Sequence, residues 1–430
     1  MHLINFQKLK LDPKIFFFSC LLFLAFYNLR PSEELTTIPI DGTRIYFISL
    51  FLYFVIKYKE FIFWELFKNH RNSFMVFFLF VLLSISGYIV NQINGLSDEY
   101  GFFLYSFNFF FFYYAAAYMT ARFFKDLNKF LRTIYLIVFL QSCLIILTAM
   151  FPELRILFKT ILYISESSNL DYLHSPRAPG FTASSGAMLS FLQSYGIISL
   201  LMLRQLEGKS LVRRDFFSIL IILVSCFSSG RTGFLISILI LLFYTLTKII
   251  LNIKVSGTML HKYKCRKRFL YFVLGGSTLT FVVYILTEIN PQFSWYLSYF
   301  FDFIFNLSNS SIGVLLSQEL PEMNLQQLIF GTHIMWENHD SGYVRALYVL
   351  GLPLAVGIYL YIFYFLTSYV TSKRAYRFYN KAFLYLYIFF ICLIFLFELK
   401  EPFIWKGIIF FPLCIKFLLN ETKELHNGGD

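Results

Sequence analysis

Gly233 to Arg268 reads GFLISILILLFYTLTKIILNIKVSGTMLHKYKCRKR. Its first half is an apolar run close to the ~20 residues an α-helix needs to cross hydrocarbon. Its second half, from Lys248 to Arg268, is a loop with seven Lys and Arg. Apolar runs that end in short basic loops mark the cytoplasmic side of membrane proteins. The rest of the 430-residue chain agrees, being 58% hydrophobic and only 14% charged, where soluble domains carry about 25%. The net charge of +12 sits in such loops, so it reads as topology and not as a nucleic-acid surface.

Comparable runs fall at about 15–29, 44–58, 74–91, 101–119, 133–151, 184–203, 216–229, 233–250, 269–288, 342–369, 382–398 and 403–420. The sequence therefore predicts an all-α integral membrane protein of about twelve transmembrane helices, a single polytopic domain over residues 1–430. Assigning the loops to alternate sides puts 28 of the 37 Lys and Arg on the inner side, which fixes both termini as cytoplasmic. The first run lacks the small-x-small cleavage pattern of a signal peptide and is expected to stay as an anchor. Six cysteines without paired spacing or a histidine grouping predict no disulfide framework and no metal site.

Nine basic residues fall on the outer side: Arg30, Arg44, Arg155, Lys159, Arg177, Arg231, Arg345, Lys400 and Lys406. Several can snorkel from helix ends, and Lys400 is expected to pair with Glu401. Two outer segments are long, 152–183 and 289–341. The second has an aromatic-rich start and no Lys or Arg, and predicts amphipathic helices on the outer membrane face.

Three motifs carry candidate chemistry. Ser228 to Gly233, SSGRTG, joins two apolar runs. From Arg214 to Ser229 is ~15 residues, or ~22 Å of helix against ~30 Å of hydrocarbon. Arg231 is thus expected below the outer surface, where a cation needs water or an anion. Ser229 and Thr232 beside it offer hydroxyls. Arg177 to Gly186, RAPGFTASSG, places an arginine before a helix start, whose free N–H groups suit a phosphate. A lipid-headgroup contact explains this arginine equally well.

The third motif, Glu337 to Gly351, ENHDSGYVRALYVLG, concentrates ionisable groups at a helix mouth. Asp340 or Ser341 can cap the helix, and Ser341, Arg345 and Tyr348 share one face at i, i+4 and i+7. A structural Asp340–Arg345 ion pair is one account of the cluster. The other makes Glu337, His339 and Asp340 general-base candidates. Arginine forks match diphosphate oxygens and stabilise a diphosphate leaving group without protein-bound metal, so no cofactor is expected.

In the SSGRTGF turn, RAPGFTASSGA, and LIFGTH followed by HDSGYVRALYVLGLPLA, and in their order along twelve spans, the chain resembles Wzy-type polysaccharide polymerases and the related O-antigen ligases. The resemblance implies a GT-C-like fold and an inverting glycosyltransferase with a polyprenyl-pyrophosphate-linked glycan as donor. Undecaprenyl-pyrophosphate-linked oligosaccharide repeat units would be joined into O-antigen, capsular or other polysaccharide on the outer face of a bacterial inner membrane. By the same resemblance Arg177, Arg231 and Arg345 hold the pyrophosphate, and Asp340 or His339 is the base. Ligases of this superfamily carry a histidine about eleven residues before the last glycine of the final motif. Asp340 occupies that position here, with His339 one residue early, which favours polymerase over ligase. A ligase to lipid A core and a lipid-linked oligosaccharide flippase are the alternatives, and a chain-length regulator is an open partner.

Overall fold

The computed structural model describes residues 13–32, 41–59, 61–93, 101–163, 177–182, 186–253, 318, 322–334, 339–370 and 379–427. The expected span at 269–288, most of the second long outer segment and Glu337 lie outside them. Among the described residues the protein is helical, with one isolated bridge between Pro31 and Leu162.

The chain begins with α1 (Pro13–Phe26) and α2 (Gly42–Tyr58), a packed hairpin. The carboxylate of Asp41 accepts from the Arg44 amide at 2.9 Å and fixes the start of α2, as a short acidic side chain does at an N-cap. A short helix that the hydropathy runs did not indicate, α3 (Ile62–Asn69), precedes α4 (Arg71–Ile93). Then come α5 (Gly101–Asn108), a π-helical stretch at Phe109–Ala115 and α6 (Ala116–Phe124). Together they form the helix expected at 101–119, widened in its middle.

The centre of the protein is built by α7 (Leu127–Met150), α9 (Ala187–Leu206), α10 (Arg213–Ser229) and α11 (Arg231–Ile253). Helix α9 packs on α7, α10 and α11. Within its apolar window 83% of residues are buried, against 33% in α4 and 28% in α11. So α9 is the core helix, while α4 and α11 bury a smaller share of their residues inside the protein. Among the described residues four helices, Arg71–Ile93, Leu127–Met150, Ala187–Leu206 and the first 20 residues of α11, are long and apolar enough to cross a membrane. Helix α8 (Glu153–Ile161) lies in the first long outer segment, where no apolar run predicted a helix.

The C-terminal third departs from the expected spans. The single helix expected at 342–369 is two, α13 (Gly342–Leu350) and α14 (Leu352–Thr367), after a short α12 (Leu325–Phe330). Gly351 separates them at φ 75°, a left-handed conformation that favours glycine, and Pro353 starts the next helix without an amide donor. Helix α15 (Lys381–Phe397) ends before Glu398, and α16 starts only at Phe410 (Phe410–Asn427). A twelve-residue turn segment, 398–409, replaces the first two turns of the helix expected at 403–420. It is packed inward: Phe403, Ile404 and Trp405 are buried.

Several out-of-place cations have structural partners. Arg155 is 2% exposed and its Nε donates to the Thr148 carbonyl at 3.2 Å. Arg44 lies 3.7 Å from Asp41, and Lys406 3.7 Å from Glu401. The last contact corrects one expectation, because Glu401 pairs with Lys406 and not with Lys400.

Candidate functional site

The site forms where three connections meet: the Arg177–Thr182 loop, the α10–α11 turn and the α15–α16 turn segment. The loop is held from several sides. Ala178 is fully buried and its amide donates to the Ser228 carbonyl at 3.0 Å. The Gly180 amide donates to Thr148 Oγ1 at 3.1 Å, and Thr182 Oγ1 donates to the Tyr27 carbonyl at 3.2 Å. Phe181 meets Phe158 of α8 edge-on at 5.0 Å. Arg177 therefore leaves from a backbone tied to α7, α8, α1 and the α10–α11 turn.

Backbone approach explains the glycines. The Gly186 amide donates to the Ser229 carbonyl at 3.0 Å. A Cβ on Gly186 would stand 2.9 Å from Arg177 Nη1, and φ is 77° there. A Cβ on Gly233 would meet the Ser190 carbonyl oxygen at 1.7 Å. The SSGRTG turn thus lies directly on the start of α9, and Arg177 passes across Gly186. Two arginines 54 residues apart in sequence come to one end of the helical core.

Of the hydroxyls, Ser229 is fully buried and donates to the Ser225 carbonyl of its own helix at 2.8 Å, a bond that spends its proton inside the helix and not on the ligand contact expected of it. Thr232, 4% exposed, accepts from Lys400 Nζ at 2.7 Å. Sequence reading missed Lys400 because it sits next to Glu401 and looked paired. Its only signal was membership of the nine outer cations. Burial lowers the Lys400 ammonium below its ordinary value; Glu401 opposes this, Arg231 and Arg177 reinforce it, and Asp340 opposes it. Those five charges therefore share one electrostatic neighbourhood.

The mouth of α13 is built differently from the expectation. Ser341 occupies the N-cap position without a side-chain cap bond. The first helical amide, of Gly342, is instead satisfied by the Glu398 carbonyl at 2.9 Å. Asp340 goes to Gln318, whose Nε2 donates to Oδ2 at 3.0 Å while its Oε1 accepts from the Asp340 amide at 2.9 Å. Arg345 Nε donates to the His339 carbonyl at 2.6 Å. These bonds order the mouth without the Asp340–Arg345 pair that the sequence suggested as its structural account. Tyr348 contributes its carbonyl, which accepts from the Thr332 amide at 2.9 Å and from its hydroxyl at 3.0 Å.

His339 and Asp340 are adjacent but chemically unlike. His339 is 4% exposed, and its Nδ1 accepts from the Ser341 amide at 3.0 Å. A neutral imidazole that accepts at Nδ1 carries its proton on Nε2, so neither nitrogen is left to take a proton. Burial lowers the His339 imidazole below its ordinary value, with Asp340 opposing and Arg345 reinforcing, which keeps this neutral form at neutral pH. Asp340 is exposed, and a carboxylate with one oxygen bonded to an amide still has lone pairs to offer.

Beneath the mouth lies a second unforeseen group. Glu398 is fully buried; Tyr359 Oη donates to Oε1 at 2.8 Å, the Ile404 amide to Oε2 at 2.8 Å, and Trp405 Nε1 to Tyr359 Oη at 2.9 Å. Burial pushes the Glu398 carboxyl up to about 8, the hydrogen bonds from Ile404 and Tyr359 opposing. It joins the start of α13 to the segment that carries Lys400. Among the described residues no group of His, Cys, Asp and Glu is arranged to hold a metal ion.

Compared with models of protein families, with curated proteins and with solved structures, the chain matches none of them.

Proposed function

We propose that the protein is an inverting glycosyltransferase of the polymerase kind, joining lipid-diphosphate-linked oligosaccharide repeat units on the outer face of a bacterial inner membrane. It would cross that membrane about twelve times with a GT-C-like arrangement and both termini in the cytoplasm. The growing glycan on undecaprenyl pyrophosphate is the donor. Its anomeric carbon passes to a hydroxyl of the next lipid-linked unit, the bond to the diphosphate oxygen breaks, and lipid diphosphate leaves. Arg177 and Arg231 hold the diphosphate and stabilise the charge that develops on it, as preorganised cations in a partly dry site do. Arg345 orders the α13 mouth and adds positive charge beside it. Asp340 takes the proton of the acceptor hydroxyl, the role that the bonding of His339 disfavours.

The observation that carries this reading is the meeting of three connections: Arg177 passes across Gly186, whose amide bonds the Ser229 carbonyl of the turn that carries Arg231; Lys400 Nζ bonds Thr232 Oγ1 at 2.7 Å; and the Gly342 amide on the Glu398 carbonyl joins the Lys400 segment to the mouth that carries Asp340. A cationic anion seat beside an exposed carboxylate is what glycosyl transfer from a diphosphate needs.

The test is to give the detergent-purified protein one lipid-diphosphate-linked repeat unit, without nucleotide sugar or added metal, and to resolve the products on a gel. A ladder spaced by whole repeat units is expected, and Arg231→Ala is expected to abolish it at unchanged expression. Unchanged substrate with the native unit, or a full ladder from Arg231→Ala, overturns the reading. Transfer of one preformed glycan to a lipid A core acceptor without a ladder would make the protein a ligase.

A further inference from the structure

Lys400 is the feature that no motif accounts for. It belongs to the turn segment after α15, a different part of the chain from either arginine. A lysine next to a glutamate on an exposed turn would ordinarily extend into water or pair with that neighbour. Here Glu401 is near Lys406, and Lys400 turns inward to Thr232 Oγ1 at 2.7 Å. Thr232 is itself buried and directly follows Arg231. Arg177 reaches the same end of the core across Gly186, whose carbonyl oxygen would stand 2.6 Å from a Cβ at Gly230. The ammonium is thus brought toward two guanidinium groups. Thr232 Oγ1 fixes the ammonium beside Arg231, the cation that the proposed function places on the diphosphate, in a neighbourhood that also holds the Glu401 and Asp340 carboxylates.

We propose that Lys400 is a binding residue for the diphosphate, completing with Arg177 and Arg231 a three-cation seat in which Thr232 holds the empty ammonium in place. The assignment rests on the lipid-diphosphate reading above. An ammonium carries three donors; one is engaged by Thr232, and the others are free to meet phosphate oxygens. The arginines supply planar forks, and the lysine a compact point charge that follows the anion. The seat is then closed by three separate connections of the chain, so diphosphate binding ties the α15–α16 segment to the core. The Gly342 amide on the Glu398 carbonyl ties the segment that carries Lys400 to the mouth that carries Asp340.

The experiment uses full-length protein in nanodiscs of neutral lipid and measures binding of inorganic pyrophosphate and of farnesyl diphosphate by calorimetry. Lys400→Gln should weaken both about ten- to a hundredfold, the loss expected for a hydrogen bond between charged partners. Lys400→Arg should restore most of the affinity. Lys406→Gln, in the same segment, should leave binding unchanged. Thr232→Val separates binding from scaffolding: it keeps the charge and removes only the anchor, so its loss should be about threefold. Wild-type affinity in Lys400→Gln, or equal losses in Lys400→Gln and Thr232→Val, overturns the proposal. Failure of the wild type to bind either probe overturns it together with the anion seat. If the wild type binds through Lys400 and forms no ladder, the polymerase reading falls and the seat stands. If a ladder forms and Lys400→Gln binds and polymerises normally, Lys400 falls alone.

Discussion

At Asp340 and His339, two neighbouring residues are separated by their hydrogen bonds and not by their intrinsic basicity. The imidazole accepts at Nδ1 from Ser341 and is buried, while the carboxylate is exposed and steered by the Gln318 amide. Replacing a general base ordinarily costs 10²- to 10⁴-fold. Asp340→Asn keeps the shape and the bond to Gln318 Nε2 but loses the proton acceptor, so kcat should fall by at least about a hundredfold. His339→Asn can keep an acceptor for the Ser341 amide, and its kcat should stay within about tenfold of wild type. Single-turnover rates with a lipid-linked repeat unit check both. The reverse ranking would make His339 the base and the Nδ1-accepting arrangement a resting state.

At the scale of elements, the junction between α13 and the α15–α16 segment depends on Glu398. Its carbonyl caps Gly342, and its carboxyl takes Tyr359 and the Ile404 amide. Burial holds this carboxyl at about 8 in the folded protein, above its ordinary value of 4.5. Between those values the folded protein holds a proton that the unfolded chain releases. The stability this provides is full below about 4.5, declines as pH rises through the window, and is gone above about 8. Thermal unfolding in detergent should therefore fall by several degrees from pH 5 to pH 9. Glu398→Gln, neutral throughout and able to accept the Tyr359 bond at its oxygen, should flatten that slope. An unchanged slope in the variant would assign the pH dependence to other groups. The junction matters because it fixes Lys400 relative to Asp340, which come from segments about 60 residues apart.

Across the whole molecule, the alternation of apolar runs and basic loops makes a claim about sides. Glu322 and Ser210, both exposed, belong by that alternation to the outer and inner faces. In a cysteine-free background, Glu322→Cys should react with an impermeant maleimide in intact cells, and Ser210→Cys only after the membrane is opened. The opposite pattern would invert the topology, and with it the side on which the proposed anion seat lies. The number of spans between the two positions is tested at the same time, since an even number would put both cysteines on one side.

What the sequence determined is what depends on local composition. Twenty-residue apolar stretches must bury their backbone polar groups in helices, so α4, α7, α9 and α11 were legible in the amino-acid string. The SSGRTG turn was legible too, as the join between two apolar runs. Breaks inside apolar runs were not. Gly351 splits α13 from α14, and 398–409 folds as a packed turn segment, because tertiary contacts there satisfy backbone groups that hydropathy alone assigns to a helix. The arginine motifs announced themselves by their surroundings, but their convergence, the transfer of Asp340 to Gln318 and the turning of Ser229 into its own helix follow from which helices touch. Lys400 is the clearest case. Its neighbour in sequence is Glu401, its neighbour in space is Thr232, and a charge at close range answers to distance and burial, which only the tertiary structure sets.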